Sequence, residues 1–368
     1  MILLIIGLIL FIGLILVHEW GHFKVARRNG VEVEEFGLFF PPRAKVLKKK
    51  NGTAYTLNWV PLGGFVKLKG ENDADRRPGS FGAASTWVKA KIMLAGVGMN
   101  LLVAFGILTV LALIGMPKLL DNQFTVASDT KIVQNEVLIG YIAEDSPAAE
   151  AGLQRGDQLI AFDGQPVTTA SELPEATQQH AGETITVTYR RDGETRNQQV
   201  DLLTTAEVEA SKSTDTPKGY FGVSPTEYTL QRSTWSAPIV GAGLLAQFTG
   251  ATFQGLGTAI SSLFQGDTTT ASEQVSGPVG IFVVMRDGSI LGFEFMLLVV
   301  AIISLSLAIM NALPIPALDG GRLFVLLVSR ALKKPLTPRV EEAIHGAGFV
   351  FLLGLIILVS VVDVRRFF

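Results

Sequence analysis

From Ile2 to Val17 the chain carries no polar side chain, an unbroken apolar run with the length of a membrane span that stops abruptly at His18-Glu19. About 20 apolar residues are needed to cross a hydrocarbon core. Three further stretches reach that length: Val88 to Met116, Leu291 to Leu313 and Ala343 to Val362. Between the second and third the pattern changes period. Val137–Ile142, Gln158–Phe162 and Thr184–Tyr189 read as strands bounded by closely spaced turn signals. Ser146 and Pro147 read as the cap and first residue of a short helix, Gly152 as its stop, and Gly156-Asp157 as a turn into the next strand. Asp163-Gly164 supplies a hairpin turn, and Leu173 to His180 a second helix. The pattern predicts a polytopic α-helical membrane protein of about four transmembrane helices with an inserted α+β domain. Pro238 to Phe264 is apolar but studded with Gly, Thr and Ser, the character of a helix lying in the membrane interface and a candidate gate over a membrane site.

Composition agrees: 48% of residues are hydrophobic, 17% charged, and the mean hydropathy is +0.39, too apolar for an average soluble domain. The absence of cysteine excludes disulfides, thiolate metal ligands and a cysteine nucleophile. No basic residue precedes the first apolar run and no Ala-x-Ala follows it, so it reads as a retained helix rather than a secretory signal. Charge then orients the spans, since short cytoplasmic loops carry excess Lys and Arg. Lys24 to Lys91 holds fourteen basic against six acidic residues, whereas Pro117 to Trp235 holds nine against eighteen, and Arg330 to Arg339 is basic again. The expected topology has both termini and the α+β domain outside and the first loop cytoplasmic; Arg365-Arg366 runs against the rule at the last span.

The chemistry begins where the first run ends. His18-Glu19-Trp20-Gly21-His22 is an HExxH sequence, and residues four apart share a helix face, so His18 and His22 can present imidazoles to one metal with Glu19 beside them. In hydrolytic zinc sites the metal keeps an open position for water and lowers its pKa toward about 7. Glu19 is then the general base and not a ligand. Ionisable side chains cost roughly 2.5 to 3.5 kcal/mol at the centre of a membrane helix, so a purely structural cluster is disfavoured.

Two resemblances extend this reading. Ser146 to Asp157 is similar to the SPA-x-x-AGL-x-x-GD signature of bacterial PDZ domains. Such domains add an extended chain or a C-terminus to a sheet edge, here expected along Val137 to Tyr141 with Gly140 and Tyr141 as binding residues. A domain that only shields the membrane site is the competing reading. Asn311-Ala312-Leu313-Pro314-Ile315-Pro316-Ala317-Leu318-Asp319-Gly320 resembles the N-x-x-P-x-P-x-LDG motif of the site-2 protease family of intramembrane zinc metalloproteases, specifically its bacterial sigma-factor-regulating members, with one PDZ domain. The resemblance makes Asp319 the third ligand of a Zn2+ ion. Two histidines need such a partner, and the prolines and glycines around Asp319 break the backbone at membrane depth, which is tolerated mainly beside a cavity.

The same resemblance associates Asn311 with the active-site cavity, where its amide would grip a substrate carbonyl or an oxyanion, a helix-capping or helix-helix hydrogen bond being the alternative. Tyr55 to Leu68 resembles a small membrane-associated β-loop, with Gly63 and Gly64 placed to hold the substrate as an added strand. Ala95 to Asn100 corresponds to a G-P-x-x-N pattern in which Val97 replaces the proline and Asn100 is retained facing the core. Ser276 to Ile281 matches a further recurrent pattern without a derivable role. His180 and His345 are not assigned to the metal. A fifth span at Pro238 to Phe264 would put Asp319 on the side opposite His18, which favours the interfacial helix.

The expected organisation is residues 1–116 and 291–368 for the two halves of the membrane core, 127–205 for the PDZ domain, and 206–290 for a linker with the interfacial helix. The implied activity is an intramembrane zinc endopeptidase that cuts transmembrane segments of single-pass proteins, such as anti-sigma factors or remnant signal peptides, in the cytoplasmic membrane. Its partners would be those segments, a peptide or C-terminus at the PDZ domain, and the bilayer, with no nucleic acid. A catalytically inert PDZ-containing adaptor would have no use for the full metal set, and a metal transporter would need a release path and a repeated second site.

Overall fold

The computed structural model describes residues 2–71, 75–213, 217–334 and 336–368. The chain forms two compact units, one of residues 1–110 with 237–368 and one of Leu111–Ser236. The first opens with helix α1 (Ile2–Arg28), a single rod that carries the apolar run and continues through His22. Strands β1 (Val33–Lys50) and β2 (Thr53–Leu68) follow, joined at Asn51-Gly52, whose positive φ values of 51° and 81° suit a tight hairpin turn. The hairpin doubles over, so that Glu35–Leu38 has partners on both sides, Ala54–Leu57 and Gly64–Lys67. Helices α2 (Thr86–Met93) and α3 (Ala95–Ile114) then run almost without a break as the second long apolar segment.

The inserted unit is a seven-stranded sheet with short helices. In chain order it comprises β3 (Met116–Pro117), β4 (Lys131–Ile142), α4 (Pro147–Glu150), β5 (Gln158–Phe162), β6 (Gln165–Pro166), α5 (Glu172–Gln179), β7 (Thr184–Arg191), β8 (Glu194–Asp201), α6 (Thr205–Ser211) and β9 (Val223–Arg232). Ser146 caps α4 with Pro147 at its first position, and Gly152, Gly156 and Gly164 take positive φ where the chain turns. Val137, Ile139, Leu159, Phe162, Ile185, Val187 and Phe221 form its core. The buried Asp157 is tied to Arg191 and accepts the Gln154 N–H at 2.8 Å.

Two expectations about this unit need correction. The boundary at 205 is too early, because β9, which falls in the stretch expected to be a linker, pairs along β4. Moreover, the sheet order β3-β9-β4-β5-β7-β8 places β4 in the interior. Gly140 and Tyr141 therefore lie on no open edge: Tyr141 pairs with Ser224, and a Cβ on Gly140 would stand 2.3 Å from Thr226 Oγ1. On the far side of β9 the short β3 pairs only with Leu230 and Gln231, which leaves an open edge along the earlier part of β9. Gly222 C=O accepts from Ala143, just past the end of β4, while Thr229 C=O on the opposite side accepts from Lys118, so Val223, Pro225 and Glu227 turn their backbone groups away from β4.

The first unit resumes with α7 (Ala237–Phe264), α8 (Thr268–Glu273), α9 (Pro278–Gly288), α10 (Phe293–Ala312), α11 (Asp319–Ala331) and α12 (Pro338–Phe367). Among the described residues four helices are long and apolar enough to cross a membrane: α1, the Thr86–Ile114 segment, α10 and α12; α7 is not one of them. In lipid the helices gain little from burying apolar surface and associate through close packing at small residues. Gly7 accordingly meets Met296 of α10 and Met285 of α9, and Gly241 of α7 meets Thr109 of α3. The Ser276–Ile281 pattern acquires a role: Asp363 of α12, 1% exposed, accepts the N–H groups of Gly277 and Gly280 at 2.9 and 2.8 Å, satisfying the start of α9. A carboxylate fits there because neither glycine has a side chain in the way.

Candidate metal centre

A regular α-helix through residue 22 stacks His18 and His22 one turn apart, with ring centroids 4.8 Å from each other. Asp319 arrives by a less regular route. Helix α10 ends at Ala312, the next six residues wind tightly with Ala317 at φ 81°, and α11 starts with Asp319 as its first residue. Two glycines permit this turn. A Cβ on Gly321 would lie 1.8 Å from Ile315 O, and one on Gly320 2.2 Å from Ala312 O. Gly348 of α12 likewise admits Pro316 O, and the Ala317 N–H donates to His345 Nδ1 at 3.3 Å.

The outcome is a triangle of donors. His18 Nε2 and His22 Nε2 lie 3.1 and 3.2 Å from Asp319 Oδ2 and 3.2 Å from each other. Tetrahedral zinc with bonds of about 2.0–2.1 Å separates its ligands by roughly 3.3 Å, so this donor set fits the ion with shifts of a few tenths of an ångström. Among the described residues these three form the one His and carboxylate group gathered tightly enough to hold a metal. They line a cavity of about 340 Å³ with Glu19, Asn311, Glu71 and Arg322.

The surroundings orient the candidate ligands. His22 Nδ1 donates to Ile92 C=O at 2.7 Å, which leaves Nε2 free to coordinate a metal. Helix α3 packs directly on the imidazoles because Gly96 has no side chain; a Cβ there would be 2.5 Å from His18 Cε1 and His22 Nε2. Gly21 does the same for the α1 side, where a Cβ would lie 2.7 Å from Ala95 O. Gly64 of β2 lies against Glu19, its Cβ position 3.2 Å from Glu19 Cγ, so the hairpin reaches the Glu19 side of α1. Gly63, at φ 78°, leaves room for the Phe40 ring. Asn311 lines the cavity while its amide donates to Leu307 C=O at 3.0 Å, a bond back into the last turn of its own helix.

A profile of peptidase family M50 matches residues 6–355. The chain belongs to that family, the site-2 proteases. Relatives share its full length at low identity. The regulator of sigma-W protease RasP of Bacillus subtilis is 26% identical over 447 residues, covering 98% of each chain. The zinc metalloprotease RasP of Shouchella clausii is 26% identical over 444 residues with the same coverage. A Clostridium perfringens protein whose name assigns it provisionally to the zinc metalloproteases is 29% identical over 363 residues, again 98% of each chain. The protein is thus a zinc-dependent intramembrane metalloprotease with an inserted β-rich domain.

Other sequence candidates stand apart from the metal. His180 pairs with Glu183 at 2.7 Å on the inserted unit, and His345 supports the turn before Asp319. Sequence reasoning missed the Gly96 contact and the Ile92 carbonyl; the small residue four before Asn100 was visible, but its neighbour on another helix was not. It also missed a pair on the cavity wall, Glu71 with Arg322 at 3.5 Å, because the partners are far apart in the chain and come from a loop and α11.

Proposed function

We propose that His18, His22 and Asp319 hold one zinc ion and that Glu19 is the general base for peptide hydrolysis within the membrane. The observation that carries this is the convergence of two Nε2 atoms and one carboxylate oxygen within 3.2 Å, with Glu19 on the same cavity. When bound, zinc supplies Lewis acidity toward a carbonyl and lowers the pKa of a bound water. Glu19 takes a proton from the attacking water and returns it to the leaving amine. Gly63 and Gly64 place a bare strand beside Glu19, where an unwound substrate segment is held extended by backbone pairing. Asn311, one of whose amide hydrogens is used by Leu307, retains a second to offer a substrate carbonyl.

Substrates are the transmembrane segments of single-pass proteins, such as anti-sigma factors or remnant signal peptides, in the cytoplasmic membrane. The catalytic side faces the cytoplasm, where the basic loops lie, and the inserted unit is an extracytoplasmic PDZ domain. Its peptide groove is not at Gly140 and Tyr141 but between α5 and the Gly219–Pro225 segment, which line a cavity of about 280 Å³ with Leu173, Thr177 and Phe221. Pro225 removes one backbone donor from the open edge of β9, so a chain added there forms a shorter ladder than a full strand would.

Cleavage of a panel of tagged single-pass segments by the purified protein tests the reading. Cutting abolished by chelation and restored by zinc is expected. A protein that binds zinc but cuts no segment would return the weight to an inert adaptor.

A further inference from the structure

His18 has an outer nitrogen as well as a metal-facing one. Its Nε2 points to His22 and Asp319, and its Nδ1 points away, toward the side-chain amide of Asn100 on α3 at 3.3 Å. Asn100 is 1% exposed, and Oδ1 of its amide has no hydrogen-bond partner. Its backbone carbonyl accepts from Ser304 Oγ of α10 at 2.8 Å, which fixes the residue between two helices.

A neutral imidazole carries one proton. If the Asn100 amino group faced Nδ1, that nitrogen would be the acceptor, the proton would sit on Nε2, and the lone pair that must meet the metal would be blocked. A half-turn of the amide exchanges oxygen and nitrogen in nearly the same volume. The oxygen then accepts from Nδ1–H and Nε2 is free. His22 already follows this rule through Ile92 C=O.

We propose that Asn100 is a positioning residue for the metal, its side-chain oxygen accepting from His18 Nδ1–H and so selecting the tautomer that coordinates through Nε2. The two histidines are then held by unlike acceptors, one a backbone carbonyl and one a side-chain amide. Only the second can be altered by substitution.

This inference rests on the proposed ligand set, so the test begins with zinc stoichiometry of the unaltered protein. Without one bound zinc there, the ligand set itself fails. With one bound, zinc affinity is measured by chelator competition, and the absorption of the Co2+-loaded protein is recorded, for Asn100→Leu and Asn100→Asp. Removing such an acceptor weakens metal binding by about 10- to 100-fold. Asn100→Leu is expected to fall in that range with altered Co2+ bands, while Asn100→Asp, which keeps an acceptor in the same place, stays within about threefold of the parent. If leucine prevents folding, Asn100→Ala serves as the acceptor-free variant. Unchanged affinity in the acceptor-free variant overturns the proposal. So does an Asn100→Asp protein that melts like the parent but binds zinc as weakly as the acceptor-free one.

Discussion

The two sides of the candidate metal centre are built in opposite ways. On α1, any straight helix would place His18 and His22 on one face, and the two imidazoles need only the ordinary repeat of 3.6 residues. On the other side, Asp319 depends on a turn that three glycines, a residue at positive φ and a histidine hydrogen bond hold together. The first side needs no break in its backbone to bring its two residues together. The second is set by backbone contacts that leave no space for a single added carbon.

Substitution should expose that asymmetry. The largest effect is expected from Gly321→Val, since its Cβ would coincide with the Ile315 carbonyl; Asp319 moves and zinc affinity falls by at least about 100-fold, measured by chelator competition. An affinity within threefold of the parent would mean that the turn adapts and the contrast is false. Next is Gly96→Ala, whose Cβ would press on both imidazoles from α3 and weaken zinc by about 10-fold, whereas Gly13→Ala on α1, with nothing within 4 Å, leaves zinc binding unchanged. The smallest effect has the opposite sign. Ala317→Gly relieves a non-glycine residue at φ 81° and should retain zinc while stabilising the turn by up to about 1 kcal/mol, read as a rise in the thermal midpoint.

The same asymmetry explains what the sequence disclosed. His18 and His22 are neighbours in the chain, and Asp319 stood out because Pro314, Pro316, Gly320 and Gly321 mark a broken backbone at membrane depth. The long apolar helices were equally legible, and α1, α10 and α12 fall where the hydrophobic runs lie. In the inserted unit β5 and β7, with local turns, were visible, but β9 was not. Pro225 demotes its sequence as a strand, and the structure accommodates that proline because its nitrogen faces the open edge. A strand from the end of the domain then pairs with β4 some ninety residues earlier, and it was this long-range pairing that moved the open edge away from Gly140 and Tyr141. The Asp363 contact with α9 is hidden for the same reason, its partners being more than eighty residues apart.

The central claim is that three residues hold the metal and a fourth does the proton transfer. Zinc content and substrate cleavage measured side by side for Glu19→Gln and Asp319→Asn separate those roles. The account predicts that Glu19→Gln keeps one zinc per chain and loses cleavage by about 10²- to 10⁴-fold, while Asp319→Asn loses both. Cleavage at the parent rate by Glu19→Gln, or full zinc occupancy in Asp319→Asn at unchanged affinity, would contradict it.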